Sequence, residues 1–195
     1  MKKNLLSLAF FFTQTILVAQ IPSAPINSKQ IQTEYILSKM KNFDEKIGKP
    51  FGGFEGKNIS GNVISNKNLT GKVVFVNFWF NSCAPCHDEF DNLNRLYEHY
   101  KSDTSFKFIS FTFDNPQETI ENKKKYNLLF DIIFISNELC HKLIGLNHGF
   151  PTNFILDKNG KIAYGTGGIY DTNTLSEIII PKIDSLLIKS KKQIN

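Results

Sequence analysis

A nearly continuous apolar run from Val73 to Phe80 constrains the fold of this chain more than any other segment. The run is rich in β-branched and aromatic side chains, and its length suits a strand that is buried on both faces. It is followed by Asn81-Ser82 and then by a segment, from about Pro85 to Lys101, whose apolar residues recur at helical spacing. A buried strand that leads directly into a helix predicts the centre of an α/β domain.

The rest of the chain alternates between strand and helix patterns, which predicts a mixed sheet with helices on its faces. Asn115 and Pro116 suit the N-cap and first residue of a helix, and Asn159-Gly160 marks the turn of a closing hairpin. The basic run Lys123 to Lys125 is expected on a solvated helix face. The predicted order is β-α-β-α-β-α-β-β-α. The strands are predicted at 73–80, 106–113, 132–135, 152–156 and 161–164. The helices are predicted at 85–101, at 137–144 with Asn137 as its cap, and at 173–190, and a further helix begins at Pro116.

The N-terminus has the features of a secretory signal peptide. Residues 1–20 combine a positively charged N-terminal region, an apolar core from Leu5 to Val18 and a small residue near the expected cleavage site at Ala19-Gln20. We therefore predict a signal peptide there, a linker with a short helix over 21–48, and the folded domain over 49–190. The alternatives are a buried helix or an uncleaved anchor, which would tether the protein. Export implies a compartment such as the periplasm, where disulfides form.

Charge and composition exclude several classes of protein. The chain has 195 residues, of which 41% are hydrophobic, so it can bury a core and is not a disordered chain. Its net charge of +5 falls to +3 once the two lysines of the predicted signal peptide are removed. That charge is too small and too dispersed to indicate nucleic acid or a membrane surface as a partner.

The chemistry is predicted at Cys83-Ala84-Pro85-Cys86, which lies between the buried strand and the following helix. Unpaired N–H groups at a helix start stabilise a thiolate, so the pKa of Cys83 should fall below its ordinary value. Cys86 lies one turn further in and should stay protonated until it is needed. In disulfide exchange, Cys83 would attack a partner disulfide and Cys86 would release the mixed disulfide. Pro85 costs no hydrogen bond at an early helical position.

The cysteine pair could also be a structural disulfide or part of a zinc site. A structural disulfide is disfavoured because a four-residue loop closes little chain entropy. A zinc site requires about four ligands, and there is no second CxxC pair. The remaining candidate ligands are scattered along the chain as Cys140 and the four histidines His87, His99, His141 and His148. We expect Cys140 to be a small buried hydrophobe, with a regulatory or resolving thiol as the alternative.

Phe78-Trp79 ahead of the cysteine pair, together with Gly149-Phe150-Pro151-Thr152 about 65 residues later, resembles the thioredoxin superfamily. Gly71-Lys72-Val73-Val74 and Asp157-Lys158-Asn159-Gly160 are similar to its exported TlpA/ResA-like thiol–disulfide oxidoreductases. The resemblance implies a thioredoxin-like α/β fold, a central mixed sheet flanked by helices behind an N-terminal extension. It also implies a cis peptide before Pro151, and Trp79, Pro85, Phe150 and Pro151 beside the substrate.

The chain departs from cytosolic thioredoxin at a buried acid. Asn77 stands where that relative has the acid, and an amide cannot accept a proton from Cys86. Glu89 matches an acid that the TlpA/ResA-like branch keeps near its dithiol, and residues three apart lie on one side of a helix. The resemblance therefore implies that Glu89 is a base for Cys86, and a surface location is the alternative. Asp91 stands where the branch often has a helix-kinking proline.

The resulting hypothesis is an exported thiol–disulfide oxidoreductase, acting as a reductase on protein disulfides, apocytochrome c among them. Its catalytic residues would be Cys83, Cys86 and Glu89, electrons would come from a membrane or exported thiol donor, and it would work as a monomer. No metal or organic cofactor is required, because the cysteine pair carries the electrons. The alternatives are a thiol peroxidase, although Phe80-Asn81-Ser82 lacks the usual threonine, and a copper carrier using Cys83, Cys86 and His148.

Overall fold

The computed structural model describes residues 43–145 and 148–189. The predicted signal peptide over 1–20 and most of the segment over 21–48 lie outside the described residues. Phe43, the first described residue, is buried, and its ring packs edge-on against Phe154 with 5.4 Å between centroids. The packed domain therefore reaches back at least to Phe43. In the part of the chain that is described, no helix is long and apolar enough to cross a membrane.

The predicted mixed sheet is confirmed, but in the described residues it has seven strands, two more than the five placed by the sequence. They are β1 (Glu55–Asn58), β2 (Val63–Ser65), β3 (Val73–Phe78), β4 (Phe106–Thr112), β5 (Ile132–Phe134), β6 (Thr152–Leu156) and β7 (Ile162–Thr166). Their order across the sheet is β2-β1-β5-β4-β3-β6-β7. Strands β3, β4 and β5 are parallel, and the outer pairings are antiparallel. The apolar run forms β3, in which every residue is buried.

Five α-helices connect or cover these strands. They are α1 (Ala84–His87), α2 (Phe90–Tyr100), α3 (Pro116–Lys125), α4 (Asn137–Ile144) and α5 (Ile180–Lys189). A π-helical turn over Thr174–Ile179 leads into α5. The single helix predicted over 85–101 is thus two helices that meet at Asp88 and Glu89. The interruption occurs although Asp91 is not a proline.

The helix caps show where local sequence rules succeed and where they fail. Asn115 caps α3 as predicted, because its side-chain oxygen accepts hydrogen bonds from the N–H groups of Gln117 and Glu118. The prediction of Asn137 as the cap of α4 was wrong. Ser136 is the cap, and its hydroxyl oxygen accepts the Leu139 N–H at 3.1 Å. Both residue types are good caps, so adjacent candidates cannot be separated by type alone.

The expectation that the basic run of α3 is fully solvated was wrong for Lys123. Its ammonium group donates to the carbonyl oxygens of Leu128 and Phe130, each at 2.6 Å. Partial burial lowers the pKa of this lysine. Lys123 therefore fastens the turn after α3, whereas Lys124 and Lys125 are exposed as predicted.

Alternating residues of the central strands divide the core into two faces. The aromatic face is covered by α4 and the chain before β3, and the dithiol face is covered by α1, α2 and α5. The aromatic face consists of Val74, Val76 and Phe78 of β3, Ile109 and Phe111 of β4, and Phe154 and Leu156 of β6, with Phe51 and Phe54 packed on them. The dithiol face carries Val73, Phe75 and Asn77 of β3, Phe108 and Ser110 of β4, and Asn153 and Ile155 of β6.

Candidate active site

The cysteine pair lies where the central strand gives way to a helix. Cys83 is the N-cap residue of α1, and its N–H donates to the Phe80 carbonyl oxygen at 3.0 Å. Cys83 and Cys86 form a disulfide with 5.3 Å between their Cα atoms. Cys86 is completely buried, and Cys83 is 4% exposed. This agrees with the predicted order of accessibility, in which the first cysteine is the one nearer the surface.

The loop before Cys83 is held in place through the backbone of Asn81. Its N–H donates to the Asp114 carboxylate, and its carbonyl oxygen lies 3.0 Å from His87 Nε2. A carbonyl oxygen only accepts, so Nε2 donates this hydrogen bond, and the other ring nitrogen, Nδ1, lies 3.0 Å from the Tyr126 hydroxyl. His87 is therefore turned toward this loop and Tyr126. Its hydrogen bonds make the approach to Cys83 rigid.

Glu89 is completely buried, which excludes the surface location. Its Oε1 accepts a hydrogen bond from Asn77 Nδ2 at 2.9 Å. Its Oε2 accepts two, from Asn153 Nδ2 at 2.8 Å and from the Ile169 N–H at 2.9 Å. Burial raises the pKa of Glu89 to about 8 although these hydrogen bonds oppose the rise. A carboxyl group with this pKa can accept or give up a proton near neutral pH.

A row of three polar side chains on the dithiol face supports Glu89. Asn77 lies opposite Ser110 of β4 and Asn153 of β6 in the strand register. The Ser110 hydroxyl donates to Asn77 Oδ1, and Asn77 Nδ2 donates to Asn153 Oδ1, both at 2.9 Å. Our sequence reasoning noted Asn77 only as the loss of an acid and missed Ser110 and Asn153. The available signal was a polar residue at the same register position inside three largely apolar strands.

The loop after β7 closes over the same carboxyl group. The Ile169 N–H donates to Glu89, and the Ile169 carbonyl oxygen accepts from Asn92 Nδ2 at 2.9 Å. The backbone N–H and C=O of one residue, Ile169, are thus joined to Glu89 and Asn92, which lie one turn apart on the helical segment. No local pattern in the sequence points to these contacts, because the partners are 77 and 80 residues apart.

The four residues expected beside the substrate differ in their exposure. Pro85 is exposed, Phe150 is half-buried, and Pro151 is buried after a cis peptide bond. The Phe150 ring packs edge-on against Phe80 with 5.2 Å between centroids. Trp79 is completely buried in the core cluster that contains both cysteines, and Nε1 has no hydrogen-bond partner among the described residues. Its burial supports packing beside the dithiol.

Cys140 lies on the other side of the sheet, in the core of the aromatic face. It is a free thiol with no exposed surface, and burial raises its pKa to about 12. The prediction of a small buried hydrophobe is confirmed. Within the described ranges, no three His, Cys, Asp or Glu side chains come together as a metal site. The copper set of Cys83, Cys86 and His148 is therefore not assembled, and the His148 ring stacks on Phe43 instead.

A disulfide at the start of a helix, following the central strand of this sheet, defines a thiol–disulfide oxidoreductase of the thioredoxin fold. The chain belongs to the AhpC/TSA family, which matches residues 47–165. It is 34% identical over 120 residues to "Thiol-disulfide oxidoreductase ResA" of Bacillus cereus, covering 60% of this chain and 67% of that protein. It is 31% identical over 135 residues to the protein of the same name from Bacillus thuringiensis, covering 69% and 77%.

A solved structure with the same fold supports this assignment. The thioredoxin domain of a thiol–disulfide oxidoreductase from Bacteroides vulgatus superposes with a TM-score of 0.61. The alignment covers 70% of this chain and 97% of that domain at 20% identity. At this identity the likeness concerns the fold, and it confirms the predicted thioredoxin-like architecture.

Proposed function

We propose that this protein is an exported reductase of protein disulfides in which Cys83 is the nucleophile, Cys86 the resolving thiol and Glu89 the base. The observation that carries the proposal is the buried carboxyl group of Glu89, three residues after Cys86. The backbone between them stays in the right-handed helical region, so both side chains project from one side. A base with a pKa of about 8 suits the deprotonation of a thiol.

The exchange balances without another cofactor. The Cys83 thiolate attacks one sulfur of the client disulfide, forms a mixed disulfide and releases the other client sulfur as a thiolate. Glu89 accepts the Cys86 proton, and the Cys86 thiolate then attacks Cys83, which frees the second client sulfur. The client gains two electrons, and its two thiolates take up the proton passed from Cys86 through Glu89 and one proton from solvent, while the protein is left with the Cys83–Cys86 disulfide. A membrane or exported thiol donor would return the two electrons.

Three parts of this proposal rest on the sequence and on the family likeness. Export is supported by the signal-peptide pattern over residues 1–20. The direction of electron flow and the client, an oxidised cysteine pair in exported proteins such as apocytochrome c, are supported by the resemblance to TlpA/ResA-like proteins. The substrate-facing roles of Pro85, Phe150 and Pro151 are supported by the same family resemblance.

The reduction potential of the Cys83–Cys86 pair tests the direction. We expect a value near that of thioredoxin, about −270 mV, and a value near about −120 mV would instead indicate an oxidant. Equilibration with thiol–disulfide redox buffers, read by alkylation and mass, gives this potential directly.

Cysteine variants test the assignment of roles. Cys83→Ser should abolish insulin reduction, whereas Cys86→Ser should accumulate a mixed disulfide with the client. Cys140→Ser is the matched control, because that thiol lies on the other face of the sheet. Normal insulin reduction by both active-site variants would overturn the proposed function.

A further inference from the structure

The carboxyl group of Glu89 is held unequally by its neighbours. Two donors, Asn153 Nδ2 and the Ile169 N–H, point at Oε2, whereas Asn77 Nδ2 is the donor at Oε1. Each carboxylate oxygen can accept about two hydrogen bonds. Oε2 is therefore saturated by groups that cannot accept a proton, and Oε1 keeps an available lone pair.

We infer that Asn153 is a positioning residue for the acid–base step: it occupies Oε2 so that Oε1 is the atom that exchanges a proton with the dithiol. This inference rests on the proposed function of Glu89 as the base. Asn153 lies on β6, whereas the proposed catalytic residues Cys83, Cys86 and Glu89 belong to the helical segment after β3. Asn153 lies two residues after Pro151, so one strand carries both the substrate loop and this support.

The orientation of the Asn153 amide is determined by the polar row. The Ser110 hydroxyl donates to Asn77 Oδ1, so the nitrogen of Asn77 must face the carboxyl group and Asn153. Asn77 Nδ2 then donates to Asn153 Oδ1, and this fixes the Asn153 nitrogen toward Glu89. All four residues are buried, with at most 1% of any one exposed. The Asn153 amide cannot flip, exchanging its oxygen and nitrogen positions, without leaving a buried polar group unpaired.

The groups that contact the Glu89 carboxyl group from the sheet are uncharged. β3 and β6 present the neutral amides of Asn77 and Asn153, and the loop after β7 presents a backbone N–H. On the helical side, the titratable groups are the Cys83 and Cys86 thiols once the disulfide is reduced. Hydrogen bonds from neutral donors favour the ionised carboxylate and oppose the effect of burial. Removing Asn153 should therefore make the carboxyl group harder to ionise.

The test is the pH dependence of Cys83 alkylation and of the reduction potential, measured on the full chain. Asn153→Leu removes the amide and keeps a similar volume. We expect the inflection assigned to Glu89 to move upward by about one to two pH units, because the variant loses a hydrogen bond to the ionised carboxylate. Tyr100→Phe is the matched control, since the Tyr100 hydroxyl bonds Asp184 and lies outside the polar row, and its inflection should stay within a few tenths of a unit of wild type.

Glu89→Gln separates the failure of this inference from the failure of the proposed function. In a Glu89→Gln background, Asn153→Leu should produce no further change in the pH profile. If Glu89→Gln removes the inflection but Asn153→Leu leaves it at the wild-type pH, the positioning role is overturned. If Glu89→Gln keeps the inflection, the proposed base is wrong. Should Asn153→Leu not fold, Asn153→Ser, which keeps a shorter donor, must still give a smaller upward shift.

Discussion

The two faces of the central sheet are built from alternating residues of the same strands, yet they differ in what they bury. The aromatic face packs Phe51, Phe54, Phe78, Phe111 and Phe154 together with Thr152, whose hydroxyl donates to the Gly149 carbonyl oxygen at 2.6 Å. The dithiol face buries the polar row and Glu89 among its apolar residues. A buried polar group costs free energy unless it is hydrogen-bonded. The difference teaches that one face is packed chiefly by aromatic rings, while the other accommodates a hydrogen-bonded, titratable site within an apolar core.

The largest expected effect is a loss of stability on the aromatic face. Phe111→Ala removes a ring that lies 4.8 Å from Phe54 and 5.2 Å from Phe78, measured between centroids. We expect the free energy of unfolding to fall by about 3–5 kcal/mol. Urea denaturation followed by circular dichroism measures the loss. The reduction potential of the folded variant should stay at its wild-type value, and a change there would contradict the separation of the two faces.

The next effect concerns the dependence of stability on pH, which belongs to the dithiol face. The pKa of Glu89 is about 8 in the folded protein and about 4.5 when the chain is unfolded. The folded state therefore binds more protons between these values, and the oxidised protein should lose stability as pH rises from about 4.5 through 8. The loss should amount to a few kcal/mol, at about 1.4 kcal/mol per pKa unit.

Denaturation midpoints measured from pH 4 to pH 9 test this slope. Glu89→Gln should remove most of it, because the amide does not titrate, although its stability at any one pH can be lower. Phe111→Leu, which alters the aromatic face, serves as the control and should keep the wild-type slope. A wild-type protein whose stability is constant over this range would contradict the buried, raised pKa of Glu89.

A smaller effect is expected at a polar contact of the dithiol side that lies outside the polar row. The Tyr100 hydroxyl donates to the Asp184 carboxylate at 2.7 Å and joins α2 to α5. Tyr100→Phe should cost about 1–2 kcal/mol of unfolding free energy. The pH profile of Cys83 alkylation should be unchanged, which would show that only the polar row is coupled to the dithiol. Thermal unfolding and alkylation kinetics of one preparation provide both measurements.

The smallest effect is expected at Cys140. Its thiol is buried in the aromatic face, and its pKa of about 12 leaves almost no thiolate at neutral pH. Iodoacetamide should label Cys83 in the reduced native protein and leave Cys140 unlabelled until denaturant is added. Cys140→Ala should change stability by about 1 kcal/mol or less and should leave insulin reduction unchanged. Labelling of native Cys140 at the rate of Cys83 would restore the regulatory thiol as an explanation.

Much of the fold could be predicted because its signals are local. The apolar run of β3, the Asn115-Pro116 helix start and the Asn159-Gly160 turn each lie within a few residues of the structure they specify. The cysteine pair was equally accessible, since its spacing and its place between strand and helix are both sequence features. The cis peptide before Pro151 came from the family resemblance, because Gly-Phe-Pro by itself indicates only a turn.

The remainder of the site depends on residues that meet only in the folded sheet. Asn153 is 64 residues from Glu89 and 76 from Asn77, so no spacing rule connects them. Glu89 could be singled out by its distance from Cys86, but its complete burial follows from the break between α1 and α2 and from the loop at Ile169. Lys123 was misplaced for the same reason, because its partners lie in the turn that follows the helix.

The polar row draws its three members from β3, β4 and β6, strands separated in sequence and joined by both parallel and antiparallel pairing. A nascent or partly assembled chain has an ordinary carboxyl group at Glu89 and ordinary thiols. The proton-handling site is therefore complete only when all three of these strands are paired, and a loss of pairing at either neighbour of β3 would disconnect Glu89 from part of its support.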